Sequence, residues 1–123
     1  MAIGFQVTFD ANDPAGLGGF WATALGYIEQ PPPPGFDTWP DALRSFGYGE
    51  DEMDRAYALV DPEGAGPRLF FQKVSERKAA TAKNRVHLDV NVTGPIGGPQ
   101  AELAARRAAV DAHAARLVEA GAR

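Results

Sequence analysis

The 123 residues suit one domain, and a composition of 45% hydrophobic and 23% charged residues is that of an ordinary globular protein. A net charge of −4, from 12 Lys+Arg against 16 Asp+Glu, argues against nucleic-acid or anionic-membrane partners, which favour a basic surface. Cysteine is absent, which excludes disulfides and thiolate metal ligands and is compatible with a reducing cytoplasm; no apolar run approaches the roughly 20 residues that span a bilayer, and the N-terminus lacks the basic-then-apolar layout of a signal peptide.

Alternation predicts a strand over 3–10. Phe5, Val7 and Phe9 form its apolar face and Gln6, Thr8 and Asp10 its polar face. Asp13-Pro14 then marks a helix start, with Asp13 as N-cap and Pro14 in the first turn. Leu17, Phe20, Trp21, Ala24 and Leu25 form the apolar stripe of a helix lying on a sheet, and Gly26 ends it. A short strand is expected over 27–30. The run Pro31 to Pro34 reads as a stiff spacer that Gly35 releases. Thr38-Trp39-Pro40 opens a short helix reaching about Phe46. The acidic stretch 47–54 does not match a calcium-loop spacing, so it reads as a solvated loop.

A strand over 55–60, a turn at Asp61-Pro62-Glu63-Gly64 and a strand over 68–74 make a hairpin. In the second strand Leu69 and Phe71 share one face, and Phe70 and Gln72 the other. The basic connector 75–83 reads as a solvated loop, with attraction of an acidic ligand as its lesser alternative. Segment 85–92 alternates strictly: Val86, Leu88, Val90 and Val92 on one face, Arg85, His87, Asp89 and Asn91 on the other. That pattern predicts a strand, followed by a loop over 93–99 and a long helix over 100–120 ending at Gly121. The helix stripe is Leu103, Arg107, Val110, Ala114 and Leu117, widened by Val118; His113 lies on its flank, where a hydrogen-bonded or solvated imidazole is expected.

The order strand, helix, then three strands restarts at 85–92. An offset of 81 residues lays Gln6, Thr8 and Asp10 on His87, Asp89 and Asn91, a match of pattern rather than identity. The second series stops after its helix, so an open sheet edge near 85–92, or its pairing across a dimer, is expected.

The pattern Phe5-Gln6-Val7-Thr8-Phe9-Asp10-Ala11-Asn12-Asp13-Pro14, then Phe20-Trp21 and Leu25-Gly26-Tyr27, resembles the first module of glyoxalase-like domains. Asp61-Pro62-Glu63-Gly64, the run from Pro67 to Val74 and the run from Lys83 to Val90 carry the same resemblance, in the same order. These domains belong to the vicinal oxygen chelate superfamily, with bleomycin-resistance proteins and extradiol dioxygenases. The resemblance spans 3–121. It implies an α+β fold of paired βαβββ modules whose curved mixed sheet surrounds a cavity. Residues 1–123 then form one glyoxalase-like domain, with 3–74 as the first module and 85–121 as the start of a second, truncated after its helix.

Metal-dependent members of this superfamily place ligands at positions that match Gln6, Gln72 and His87, and the resemblance implies that Gln6 and Gln72 are neighbours. A fourth ligand position has no counterpart. Two neutral amides and one imidazole make a weak set for a divalent ion, so no cofactor is expected, with a divalent metal as the alternative. The expected pocket is lined by Gln6, Thr8, Phe70, Gln72, Arg85, His87, Asp89 and Trp39, with Phe36 helping Trp39 to form a lid. It would hold a small organic ligand. If the protein is an enzyme, His87 is the candidate acid/base, oriented by Asp89, in a lyase, isomerase or dioxygenase-type reaction over a degenerate metal site. The alternative is a non-catalytic protein that sequesters a drug or metabolite, as bleomycin-resistance proteins do. A cytoplasmic homodimer is the expected setting, and a purely structural module dimerising through its open edge is the third reading.

Overall fold

The structure, a computed structural model, describes residues 1–94 and 103–123. Its elements are β1 (Val7–Ala11), α1 (Pro14–Leu25), β2 (Ile28–Glu29), α2 (Trp39–Ser45), a 3-10 turn at Glu50–Glu52, β3 (Ala56–Val60), β4 (Leu69–Lys73) and α3 (Leu103–Glu119). The four strands form one open mixed sheet in the order β1-β4-β3-β2. β4 runs parallel to β1 and antiparallel to β3, and β2 flanks β3 antiparallel. This is the α+β arrangement expected over 3–74, one βαβββ module.

Alternation explains which face of the sheet is buried. Leu69 and Phe71 of β4 and Leu59 of β3 point to one side and are buried, with Val7, Phe9 and Tyr57 packed against them. Leu17, Trp21, Ala22 and Leu25 of α1 cover that side. The Phe9 ring stacks on Phe71 at 5.0 Å and on Trp21 at 5.7 Å, so three aromatic rings tie β4 to β1 to α1. Gly18 lets the helix come close. An added Cβ there would stand 2.3 Å from Cδ1 of Tyr57, so only glycine fits between α1 and β3.

The ends of α1 are fixed as its sequence implies. The Asp13 carboxylate accepts the Gly16 N–H at 3.1 Å, and Gly26 turns the chain out at φ 72°. The hairpin turn is held by Asp61, whose carboxylate accepts N–H groups of Glu63, Ala65 and Gly66 at 2.9, 3.1 and 2.8 Å. Those bonds, Glu63's first, hold the Asp61 carboxyl below the usual range, because they favour the ionised form. The Asn12 amide donates to Val74 O at 2.8 Å and to Glu76 O at 3.0 Å, which pins the chain leaving β4 beside the end of β1.

α3 leans on α1 through an imidazole. Arg116 donates to His113 Nδ1 at 2.7 Å, which leaves Nε2 to donate to Ala24 O at 2.9 Å. Ala24 lies in the last turn of α1, where a carbonyl has no helical partner, so His113 satisfies an orphan acceptor. Along the apolar stripe of α3, Leu117 is half-buried, whereas Leu103, Val110 and Val118 are exposed.

Three expectations are corrected. The first strand begins at Val7, not at residue 3. Residues 85–92 do not form a strand; their backbone pairs with no neighbour among the described residues. Alternation makes an amphipathic segment, but a strand also needs a ladder for its N–H and C=O groups and a surface for its apolar side. Neither is supplied here, and Val86 is 78% exposed. The sheet is open, but among the described residues its edges are the free sides of β1 and of the two-residue β2 rather than one near 85–92. The start of the predicted helix at 100–102 and the loop residues 95–99 lie outside the described residues. Among the described residues, no helix is long and apolar enough to cross a membrane.

Candidate functional site

The face of the sheet away from α1 carries the alternate set of side chains. β4 offers Arg68, just ahead of its first residue, then Phe70 and Gln72. In register beside them stand Thr8 and Asp10 of β1 on one flank and Ala58 and Ala56 of β3 on the other. The two alanines keep the floor low. α2 and the loop after it supply a facing wall of Trp39, Pro40, Leu43, Tyr48 and Met53. Between wall and floor lies a cleft of about 660 Å³, a size suited to a small organic molecule.

The wall is placed by caps and one tether. Thr38 Oγ1 accepts the Asp41 N–H at 3.2 Å and starts α2. The Trp39 indole N–H donates to Gln30 O at 2.6 Å, fixing the ring over the end of β2. Gln30 N–H in turn donates to Ala58 O at 2.9 Å, so the tether is anchored in the sheet. The Arg44 guanidinium, bridging Asp41 at 3.1 Å and Glu50 at 2.5 Å, links α2 to the 3-10 turn.

The polar groups of the cleft are ordered by one another. Arg68 Nε donates to Gln30 Oε1 at 2.7 Å and Nη1 to Gln6 Oε1 at 3.0 Å, with the guanidinium carbon 5.1 Å from the centre of the Phe70 ring. Gln6 also donates to Thr8 Oγ1 at 3.3 Å. Gln72 Nε2 donates to Asp10 Oδ1 at 2.6 Å. Arg55 lies 4.4 Å over the Tyr48 ring. Asp54 pairs with Lys73, and that hydrogen bond holds its carboxyl below the usual value. Burial first, then the Glu29 carboxylate, raises the Tyr57 phenol above its ordinary value.

The sequence-predicted residues divide between two places. Phe70, Gln72 and Trp39 line the cleft. Thr8 flanks Phe70, and Gln6 reaches Arg68 from the end of β1. Arg85, His87 and Asp89 are exposed on the unpaired segment and are not among the cleft's lining residues. Phe36 packs edge-on against Phe46 at 5.8 Å and is not among the cleft's lining residues.

Register decides the fit of a metal. Asp10, not Gln6, stands beside Gln72. Gln6 and Gln72 are four residues apart along adjacent parallel strands, roughly 13 Å at about 3.3 Å per residue. Ligands of one ion stand within roughly 2.0–2.6 Å of it. The Gln6 oxygen already accepts from Arg68, and His87 is off the sheet. Among the described residues, no three His, Cys, Asp or Glu side chains gather as a metal site. The donor set does not fit a divalent ion.

Arg68, Gln30, Leu43, Tyr48 and Met53 were not identified from sequence as site residues. Arg68 was accessible to it, since 68, 70 and 72 share one face by alternation. Gln30 carries no such signal, because its role depends on where α2 folds back.

The family model for the glyoxalase-like domain matches residues 6–123. No curated protein and no solved structure matches the chain.

Proposed function

The chain belongs to the glyoxalase-like domain family, a small-molecule-binding fold, and on that premise we propose that it binds a small organic ligand in the cleft between β3–β4 and α2 without a resident metal. One observation carries the reading: an aromatic wall and an ordered polar network converge on the same 660 Å³ cleft. Apolar surface supplies affinity there, and a few fixed polar groups supply orientation. The ordered network is the Arg68 guanidinium with the amides of Gln6 and Gln30, which bind and orient; Glu29 and Asp54 also line the cleft, Asp54 paired with Lys73. The imidazole that a lyase or isomerase step would use stands elsewhere, on an exposed segment. Sequestration of a drug or metabolite is therefore the function the arrangement supports best.

The test is elemental analysis of the purified protein, followed by a thermal-shift screen of small organic compounds in chelator. Stabilisation that persists in chelator is expected. Stoichiometric metal, with stabilisation lost on chelation, would contradict the proposal. Pairing of two copies along the free side of β1, beside the exposed Phe5, belongs to the same proposal; sedimentation showing a monomer at all concentrations would sink that part.

A further inference from the structure

Arg68 is the half-buried cation of the cleft, and its charge is not answered by an acid. Its two acceptors, Gln30 Oε1 and Gln6 Oε1, are neutral amides. Lys73 and Arg44, by contrast, each hold a carboxylate. Among the described residues, no carboxylate lies within salt-bridge distance of Arg68. Of the acids lining the cleft, Asp54 is engaged by Lys73, and Glu29 makes no ion pair among the described residues. Taking a guanidinium partly out of water without an anion is unfavourable, and neutral amides offset only part of it.

The two amides hold the planar group by Nε and one hydrogen of Nη1. That leaves the other Nη1 hydrogen and both hydrogens of Nη2 without a protein acceptor among the described residues. These form the end of the fork that matches a carboxylate bidentately. The rings of Phe70, Trp39 and Tyr48 line the same cleft. A flat apolar body fits that lining, with its charged end at Arg68. The chain as a whole is acidic, at −4, so an unanswered cation in a cleft is not a by-product of a basic surface.

We propose that the cleft is selective for organic carboxylates with a planar apolar body, and that Arg68, held by Gln6 and Gln30, is the residue that receives the carboxylate. The proposal rests on the reading of this cleft as the ligand site.

The test uses 2-naphthoate and its neutral counterpart 2-naphthamide, titrated into the intact chain and followed at the backbone amides of Phe70 and Gln72. The acid is expected to bind at least about tenfold tighter, the smaller end of a charged hydrogen bond's effect. Arg68→Met is expected to reduce the acid to the level of the amide. Arg68→Lys, which keeps the charge and loses the fork, should fall between them and serves if the methionine variant does not fold. Arg85→Met, which removes a cation on the exposed segment outside the cleft, should retain the preference. Equal binding of acid and amide by the wild type overturns the carboxylate assignment and leaves the cleft as a ligand site. A preference that survives Arg68→Met but disappears in Arg55→Met overturns the role of Arg68. If neither probe moves the β4 amides, the cleft reading fails and this proposal with it.

Discussion

Two adjacent glycines of α1 are expected to respond to alanine with opposite signs. Replacing glycine inside a helix ordinarily stabilises it by about 0.5–1 kcal/mol, because the unfolded chain loses freedom. At Gly19 nothing stands within 4 Å of the new Cβ, so Gly19→Ala should show that gain in full. At Gly18 the Cβ would meet Tyr57 Cδ1 at 2.3 Å and Cε1 at 2.7 Å, where carbon contacts prefer about 3.5–4.0 Å. Tyr57 cannot simply swing away, since its ring lies beside buried Phe71 at 6.5 Å. Relieving an overlap of more than 1 Å means lifting the helix or leaving a rotamer well, about 2–3 kcal/mol at the upper end of overpacking costs. The helix gain subtracts about 1 kcal/mol, so Gly18→Ala should lose about 1–2 kcal/mol. The two variants then differ by about 2–3 kcal/mol. Urea unfolding followed by circular dichroism reads this as midpoints moving in opposite directions with an unchanged slope. If both alanines stabilise equally, α1 does not rest on Tyr57 and the packing described above is wrong.

Phe71→Ala removes a fully buried ring from the centre of the sheet, stacked on Phe9. A loss of about 3–5 kcal/mol is expected, a large part of the roughly 6–18 kcal/mol available to a domain this size, and denaturant unfolding measures it. Asp61→Asn tests the turn through pH. The folded-state pKa of Asp61 is depressed, so its carboxylate stabilises the fold above the unfolded value of about 3.9 and loses that contribution as pH falls through the folded value. Melting temperatures of wild type and Asp61→Asn should therefore differ near neutrality and converge as the pH is lowered below about 4; a constant gap would refute the role of the charge. His87→Ala should leave ligand stabilisation in a thermal-shift assay intact and change stability by less than about 0.5 kcal/mol, as for other exposed positions without partners.

Local patterning made most of the first module legible. Asp13, Pro14 and Gly26 bound α1 because capping is a short-range interaction. The alternation of β4 sorted Leu69 and Phe71 from Phe70 and Gln72, and that sorting separates core from cleft. Segment 85–92 shows where pattern stops. Its alternation is as strict as that of β1, yet a strand is a pairing between segments, and no partner is encoded within the segment itself. The same limit hid half of the site. The cleft depends on α2 folding back so that the Trp39 indole reaches Gln30, and on a register that sets Gln6 opposite Arg68 and Asp10 opposite Gln72. Register is a property of two strands: the resemblance sets β1 beside β4, as found, but strand adjacency alone does not say which residue stands beside Gln72.

The central claim is that ligands bind between α2 and the outer face of β3–β4. The chain has two tryptophans, one on each side of the sheet. Trp21 lies in the core under α1, and Trp39 lies on the cleft wall. The indole N–H resonances of isotope-labelled protein, assigned with Trp39→Phe, separate the two. On addition of a compound that stabilises the protein in chelator, the Trp39 signal should move and the Trp21 signal should stay. Movement at Trp21, or at the amides of 85–89 with Trp39 unchanged, would contradict the account.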